Sequence, residues 1–559
     1  MDSYLGGFGP FHIRREVLDR RYKKPRILPG FIIPGPNKPK IMDSFLFLSL
    51  HHLIGLQKEG LAIWDASRDI LFSSNPFFAL GTADGPGITY LNGLVGHHGR
   101  TGCRLYCPLK GRHKPGGSHY YPTLRKPLNY HVEGCDHDDV DPSSISLSSS
   151  QVYEDNLCFL VSSSSENQYK KRRLETGISK LSIFLGLPAN RRLGIPGCFG
   201  LDIMHLVSLN IPDLLINLWR GTLDCEKTDS IANWDWAVLQ GDRWKAHGKA
   251  VAAATPYLPG SFDRPPRNPA EKIKSSYKAW EFLLYIFGMG PGLFYGLLPE
   301  KYWKNFCKLV SGIRTIHQQK IIWMDLFQAH QILNQFCDEF ELLYYQQRVD
   351  RLHFVRPSIH TLRHVAPEVL RVGPLVCSSQ WTLEQTIGNL GEEIRQPSNP
   401  FANLSQCGIR RCQINALKAM VPDLDPPVNT LPRGAKDIGD GYVLLRAMEK
   451  YPRCVRECEA VVFRVYMRQT EGPDVSDDWC PSVSRWARLQ LPNGSTAWSA
   501  WKEKQKPLER SRIARVVKVC LILAFLYNVY SIVKYYYAAQ ASRQIVLCRG
   551  TVFFLPSCR

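Results

Sequence analysis

Residues 76–87, PFFALGTADGPG, hold a short apolar run that ends on an acid, Asp84, and a Gly-Pro turn. An apolar run of this length between turn residues reads as a buried strand, and an acid just past its end is delivered to the edge of a sheet. Strands of this kind among helices predict an α/β fold. Upstream, residues 42–59 (MDSFLFLSLHHLIGLQKE) read as an amphipathic helix, with Asp43 or Ser44 as its cap and Gly60 as its stop. Before it, 27–40 is a Pro/Gly-rich passage of strand edge and turns. Residues 1–24 carry charges where a secretory signal would be apolar.

Downstream, residues 97–135 are loop-rich, with many Gly, His and Cys. The acids Asp136, Asp138, Asp139 and Asp141 lead into serine-rich stretches at 143–150 and 162–165, which read as a flexible linker over 136–167. From 168 to 350 the pattern is mainly helical, notably at 201–221, 278–288 and 325–348, with a Trp-rich stretch at 234–244. Two more helical patterns lie in 358–395, and beyond 396 the chain turns Pro-rich and irregular. There is no internal repeat.

The length of 559 residues suggests about three domains. With 44% apolar and 21% charged residues, the composition is that of a folded globular chain, and it excludes collagen, coiled coil, small secreted domain and multi-span membrane protein. The 70 Lys and Arg against 50 Asp and Glu leave a charge of +20, which suits an acidic partner, nucleic acid or an anionic membrane surface. The 17 cysteines are scattered, as in a reduced intracellular chain. Near the end, VVKVCLILAFLYNVYSIV (516–533) follows six basic residues and precedes Tyr535, Tyr536 and Tyr537, the pattern of a single-pass membrane anchor, although Lys518 and Asn528 interrupt it.

Three constellations carry chemistry. Cys103-x3-Cys107 places two thiols close enough to share a soft cation, and Arg104 and Tyr106 between them are compatible with that. His360-x3-His364 puts two imidazoles on one helix face. Each pair alone reads as incidental thiols or packing histidines; together they make a tetrahedral Cys2His2 set for zinc that would staple distant parts of one domain. The third constellation is acidic: Asp84 at a strand end, Asp202 in LDIMHLVSLN, and Glu384 on a helix 20 residues after His364. Carboxylates so placed are typical holders of Mg2+ in phosphoryl transfer, and each reads equally as a cap or a surface charge. His205 lies one turn after Asp202 and is positioned to hydrogen-bond it.

In order, the segments 82–108, 201–215 and 379–400 resemble the CACTA-type DDE transposases abundant in basidiomycete fungi, and 31–47 resembles the segment before that family's second catalytic Asp. The resemblance spans about residues 20–420. It implies an RNase H-like catalytic core interrupted by a helical insertion, with parts at 41–135 and 351–420 around 168–350, an irregular region at 421–510 and a basic-apolar tail at 511–559. It implies Asp84 and Glu384 as the second and third catalytic carboxylates, and Asp202 with His205 as the D-x2-H accessory motif. Cys103, Cys107, His360 and His364 would be the zinc set, an arrangement similar to that of the V(D)J recombinase. It further implies Mg2+-dependent strand cleavage and transfer, DNA (transposon ends and target) as partner, a nuclear location, and a homo-oligomer as a further expectation.

At the expected site the chain departs from the family at two points. Gly6 in GGFGPF (6–11) stands where the first catalytic Asp belongs, with Asp2 a poor substitute, and three residues separate the thiols where two are usual. Residues 1–40 therefore read as a truncated segment, and activity is expected to be degraded, because one carboxylate of a two-metal site is missing. Lys170, Lys171, Arg172, Arg173, Arg191 and Arg192 are candidate phosphate contacts. The alternatives are a non-catalytic DNA-binding remnant, a single-pass membrane-anchored basic protein, and an unrelated zinc-stabilised interaction protein. The last would keep Asp84 and Glu384 apart.

Overall fold

The computed structural model describes residues 39–506, except 66–67, 146, 259–264, 276, 393–397, 425–430, 472–474 and 492–495, together with 520–522, 544–548 and 551–555. The chain divides into two compact units, Met1–Trp244 with Lys278–Val421, and Lys245–Tyr277 with Pro422–Arg559. The expected positions of a first catalytic Asp, Asp2 and 6–11, lie outside the described residues.

The first unit opens with helix α1, Asp43–Glu59, which stops at Gly60 with φ 81°. Its N-cap is Met42, with no side-chain cap, and Asp43 is instead drawn to Lys180 at 2.6 Å. A hairpin follows, β1 Leu61–Asp65 with β2 Ile70–Ser74. The strand expected within 76–87 shortens to β3, Gly81–Thr82, because Pro76, Gly85, Pro86 and Gly87 crowd its ends. Helix α2, Gly85–Asn92, starts at once, with Asp84 as its N-cap. The loop-rich passage holds only β4, Arg112–His113, paired with β5, Tyr120–Tyr121.

The serine-rich linker expected over 136–167 is corrected in its second half, where 150–161 and 166–167 are helical. Ser149 and Ser165 are N-caps, accepting from the backbone N–H groups of Val152 (3.3 Å) and Gln168 (3.2 Å). They start α3, Ser150–Val161, and α4, Glu166–Thr176. Serine favours that position because its hydroxyl satisfies a free N–H. Tyr153, Leu157 and Leu160 of α3 then bury one face in a core shared with Leu46 and Leu50 of α1, Ile88 of α2 and Phe199.

Strand β6, Phe199–Gly200, runs parallel to β3, with Gly81 opposite Phe199 and Thr82 opposite Gly200. A helical stretch continues from 203 to α5, Ile211–Arg220, through one π-wound turn, and ends at Gly221 with φ 61°. Helices α6, Glu300–Ile316, and α7, Trp323–Phe340, pack side by side. Tyr302, Phe306, Leu309, Ile313 and Ile316 of α6 are all buried, as are Leu326, Ala329, Leu333, Phe336 and Phe340 of α7. Both series follow the helical period, which makes one face of each helix apolar. An aromatic cluster of Trp219, Trp234, Trp236, Phe294, Tyr302, Tyr344 and Phe354 anchors this layer. Helices α8, Pro357–Val372, α9, Trp381–Glu392, and α10, Pro400–Met420, complete the unit.

The fold is thus a mixture of helices and small sheets, largely helical. Among its described residues the first unit holds three two-stranded sheets and no larger one, so the RNase H-like core expected from the resemblance is not confirmed. The apolar residues of this unit went mostly into helix faces and short loop-borne clusters.

In the second unit the irregular region expected over 421–510 is corrected to an antiparallel sheet with a helix. Strands β7, Lys436–Gly439, β8, Tyr442–Met448, β9, Arg453–Cys454, β10, Ser482–Gln490, and β11, Thr496–Trp498, join in the order β11-β10-β8-β7, with β9 also on β10. Helix α11, Glu457–Glu471, lies between β9 and β10 in sequence. Leu444, Trp486, Leu489 and Ala497 form one small core and Val455, Ala460, Phe463 and Val483 another. A bulge between Trp486 and Arg488 breaks the alternation of β10, which blurs its period-two pattern in the sequence.

The single-pass anchor expected over 516–533 is also corrected. Cys520–Ile522, inside that stretch, is strand β12, paired with Val483–Arg485 of β10. A strand hydrogen-bonded to a neighbour is incompatible with one continuous spanning helix. No helix among the described residues is long and apolar enough to cross a membrane. The remaining residues of 516–533 lie outside the described ones. A last hairpin pairs β13, Gln544–Cys548, with β14, Thr551–Leu555.

Candidate metal centre and the adjoining acid–histidine cleft

The four residues singled out for zinc meet. The donor atoms of Cys103, Cys107, His360 and His364 all lie within 4.8 Å of one another, although 252 residues separate Cys107 from His360. Cys107 Sγ is 3.2 Å from His360 Nε2, Cys103 Sγ is 3.6 Å from His364 Nε2, and the two Nε2 atoms are 3.0 Å apart. Tetrahedral zinc with ordinary Zn–S and Zn–N bonds requires separations of about 3.3 Å between nitrogens and about 3.6 Å between sulfur and nitrogen. The donor set can therefore hold a metal ion such as zinc. Among the described residues it is the one group of three or more His, Cys, Asp and Glu side chains that can do so.

Local structure explains the convergence. On α8 the i, i+4 spacing stacks both imidazoles on one buried face. Arg363 between them turns the other way and ties α8 to α7 through Asp338 at 2.7 Å. The thiols sit on a turn in which Cys103 C=O accepts from the Tyr106 N–H at 3.1 Å. Tyr106 has φ 57°, a left-handed conformation unusual for an aromatic residue. Its buried ring makes the conformation tolerable: the hydroxyl donates to Thr176 C=O at 2.8 Å, accepts from Asn156 Nδ2 at 2.9 Å, and the ring packs edge-on against Tyr153. Burial pushes the Tyr106 hydroxyl up to about 12.

Electrostatics favour metal binding. The Cys107 thiol and the two histidines hold the Cys103 thiol well below the usual range, the same Cys103 contact and burial hold Cys107 well above it, and burial lowers His360, so the cluster offers one thiolate and a neutral imidazole. Both are the ligating forms. His360 Nδ1 is buried and finds no hydrogen-bond partner among the described residues, so this imidazole lacks the orienting acceptor common behind metal-bound histidines.

The acidic residues form a second, adjoining site. Parallel strands β3 and β6 are in register at Thr82 and Gly200, and each is followed two residues later by an acid, Asp84 and Asp202. Asp84 Oδ1 accepts from Gly87 N–H at 2.7 Å. Asp202 accepts from the N–H groups of Met204 (3.2 Å), His205 (3.0 Å) and Gln380 (3.0 Å), and from His205 Nδ1 at 2.5 Å. His205 Nε2 points toward Glu384, 3.8 Å from Oε1. His205 thus bridges Asp202 and Glu384, and Asp84 also lies within electrostatic reach of it. The Asp202 hydrogen bond raises His205 above its ordinary value. For Asp202, burial pushes up but is outweighed by the His205 and Gln380 hydrogen bonds, and the carboxyl ends below its ordinary value.

The structure therefore brings Asp84, Asp202 and Glu384 into reach of His205, and both Asp84 and Asp202 act as helix caps there. The Mg2+ expected from the resemblance finds no support in this arrangement. Both Asp202 oxygens and one of Asp84 are taken by protein donors, the Glu384 side chain is half exposed, and the three acids do not converge on one point.

Three contributors were not singled out in the sequence. Gln380 caps Asp202 with its N–H and donates through Nε2 to Thr82 Oγ1 at 2.6 Å, joining α9 to β3. Glu368, fully buried, accepts from Leu201 N–H at 3.0 Å and is clamped by Arg371, which also holds Phe199 C=O at 2.9 Å. Together they fix the end of β6. Arg104 lies between the two thiols with Asp84 and Asp202 in electrostatic reach. Only its place inside the Cys pair marks it in the sequence.

Of the candidate phosphate contacts, Lys170 pairs with Glu166 at 2.7 Å, and Arg172 donates to Phe159 C=O at 2.7 Å and covers the Phe159 ring. Compared with models of known families and with curated protein sequences, the chain matches none.

Proposed function

We propose that this chain is a DNA-acting protein of DDE-transposase type, built around a structural zinc staple, with the acid–histidine cleft as the place where a DNA phosphate is met. The observation that carries the reading is spatial. Asp84, the Cys pair, Asp202 with His205, the His pair and Glu384 are scattered over 301 positions of sequence, from 84 to 384, yet they make two adjoining sites in one unit.

The roles divide by chemistry. Zinc on Cys103, Cys107, His360 and His364 would be closed by four protein ligands and so structural. When bound, it supplies a rigid cross-link between the thiol turn and α8. In the cleft, Asp202 fixes the His205 ring and its tautomer, leaving Nε2 to hold or pass a proton beside Glu384. The charge of +20 supports a polyanionic partner whose binding weakens steeply with salt.

A second reading, DNA binding without cleavage, is favoured by one observation: the acids are committed to protein hydrogen bonds and do not close on a single cation point. One experiment separates the two. The full chain is assayed for zinc content, for binding to a labelled DNA duplex across a salt series, and for nicking of supercoiled plasmid in Mg2+ or Mn2+. About one zinc per chain with nicking abolished by Glu384→Gln supports the transposase type. Zinc and salt-sensitive DNA binding without nicking supports the second reading, and no DNA binding at low salt sinks both.

A further inference from the structure

We propose that the Arg104 guanidinium is a receptor for a backbone phosphate of DNA at the mouth of the acid–histidine cleft. The inference rests on the DNA-acting reading and names the side chain that would meet the ligand.

The Arg104 side chain is half-buried, and the buried part of its guanidinium, Nε, has no partner. Among the described residues Arg104 donates no hydrogen bond and makes no ion pair, and its Nε is buried without an acceptor. An arginine carries five N–H donors in a planar fork and stays charged. Leaving such a group unpaired in a partly dry site is costly, so native structures seldom do it. The two acids in reach do not complete it: Asp202 is saturated by His205, Met204 and Gln380, and Asp84 Oδ1 is turned to Gly87 N–H. Burial pushes Arg104 below its ordinary value, and the two acids offset part of that from a distance. The fork is therefore open to an oxyanion with two adjacent oxygens, the geometry of a phosphate.

Its place is specified by backbone. The guanidinium lies directly on Gly85, the first residue of α2, where an added Cβ would come 1.8 Å from Nη2 and 2.0 Å from Cζ. Any other residue at 85 would expel it. Arg104 directly follows Cys103 in the chain, so the turn that Tyr106 braces also carries the arginine. The staple thereby acquires a second purpose, setting a cation beside the cleft. The competing explanation is that Arg104 only offsets the charge of Asp84 and Asp202.

The test uses the full-length protein, a fluorescein-labelled 30-base-pair duplex, and anisotropy titrations between about 50 and 300 mM KCl. Wild type is compared with Arg104→Ala, Arg104→Lys and Gly85→Ala, each checked for wild-type zinc content. Arg104→Ala is expected to weaken binding by about tenfold, the loss of one charge-assisted contact, and to reduce the slope of log K against log salt by ~0.9, one phosphate. Gly85→Ala keeps the arginine but displaces it, and should reproduce both changes. Arg104→Lys should keep the slope and lose part of the affinity, because the charge remains and the fork does not. Wild-type slope and affinity in zinc-replete Arg104→Ala and Gly85→Ala overturn the inference and leave the DNA-acting reading standing. Calorimetric binding of inorganic phosphate that Arg104→Ala abolishes, with no change in DNA binding, would assign the fork to small phosphates and overturn it as a DNA contact. Absence of DNA binding by the wild type would overturn the underlying reading itself.

Discussion

Removing the metal should loosen the first unit by an amount that the chain topology sets. Zinc bridging Cys107 and His360 would close a loop of 252 intervening residues. Treated as a cross-link that restricts the unfolded chain, a loop of about 250 residues contributes about 5.5 kcal/mol. Direct loss of contacts adds little, because the four donors lie 3.0–3.6 Å from one another along the cluster and can hydrogen-bond among themselves when the ion leaves. The unit has roughly 390 residues and an unfolding entropy of ~2.1 cal/mol/K per residue, so 5.5 kcal/mol corresponds to a fall in Tm of about 7 °C. Calorimetry before and after chelation measures it. Cys107→Ala and His360→Ala should each cost a similar amount, and the double variant should cost no more than either, since each alone opens the staple. A shift under 2 °C on full zinc removal would refute the reasoning, as would additive losses in the double variant.

Other outcomes follow from the same geometry. His205 is held above its ordinary value of 6.5 by Asp202, so its stabilising contribution is complete below that pH and fades as pH rises through the folded value. Asp202 is held below 3.8, so its share is present above that pH and is lost in stronger acid. The Tm difference between wild type and His205→Gln should therefore be largest between about pH 4 and 6.5 and shrink toward pH 9; a pH-independent difference would argue against the ion pair. Tyr106→Phe removes the bonds to Thr176 and Asn156 that brace the left-handed turn, and should lower stability by about 1–3 kcal/mol in urea unfolding and weaken zinc retention against a competing chelator. Gly312→Ala in α6 would ordinarily gain about 1 kcal/mol of helix propensity. Here the new methyl would meet Leu333 Cγ of α7 at 2.6 Å, so a net loss of about 1–2 kcal/mol is expected, and the double variant with Leu333→Ala should lose less than the sum of the two single losses.

Much of the candidate site was legible because short-range spacing encodes it. The i, i+4 histidines needed only a helix to share a face, and the Asp202–His205 contact needed only one turn. The caps Ser149 and Ser165 were present in the sequence too, but serine-rich composition pointed to a linker, and only burial of Tyr153, Leu157 and Leu160 decided for helix. The sheet of the second unit was hidden because a bulge in β10 breaks the alternation that marks a strand.

The sequence by itself determined which chemistries are present: thiols and imidazoles in ligand-spaced pairs, helices with apolar faces, and an excess of positive charge. Those are properties of neighbours along the chain, where bond geometry limits what residues a few places apart can do. Only the tertiary structure decided that the pairs meet across 252 residues, that the Asp84 and Asp202 strands run in register, and that among the described residues no extended sheet joins them. It also decided that Arg104 rests on Gly85 with its donors open. Contacts of that range depend on how whole helices pack, a sum of many weak apolar terms that no short stretch of sequence contains.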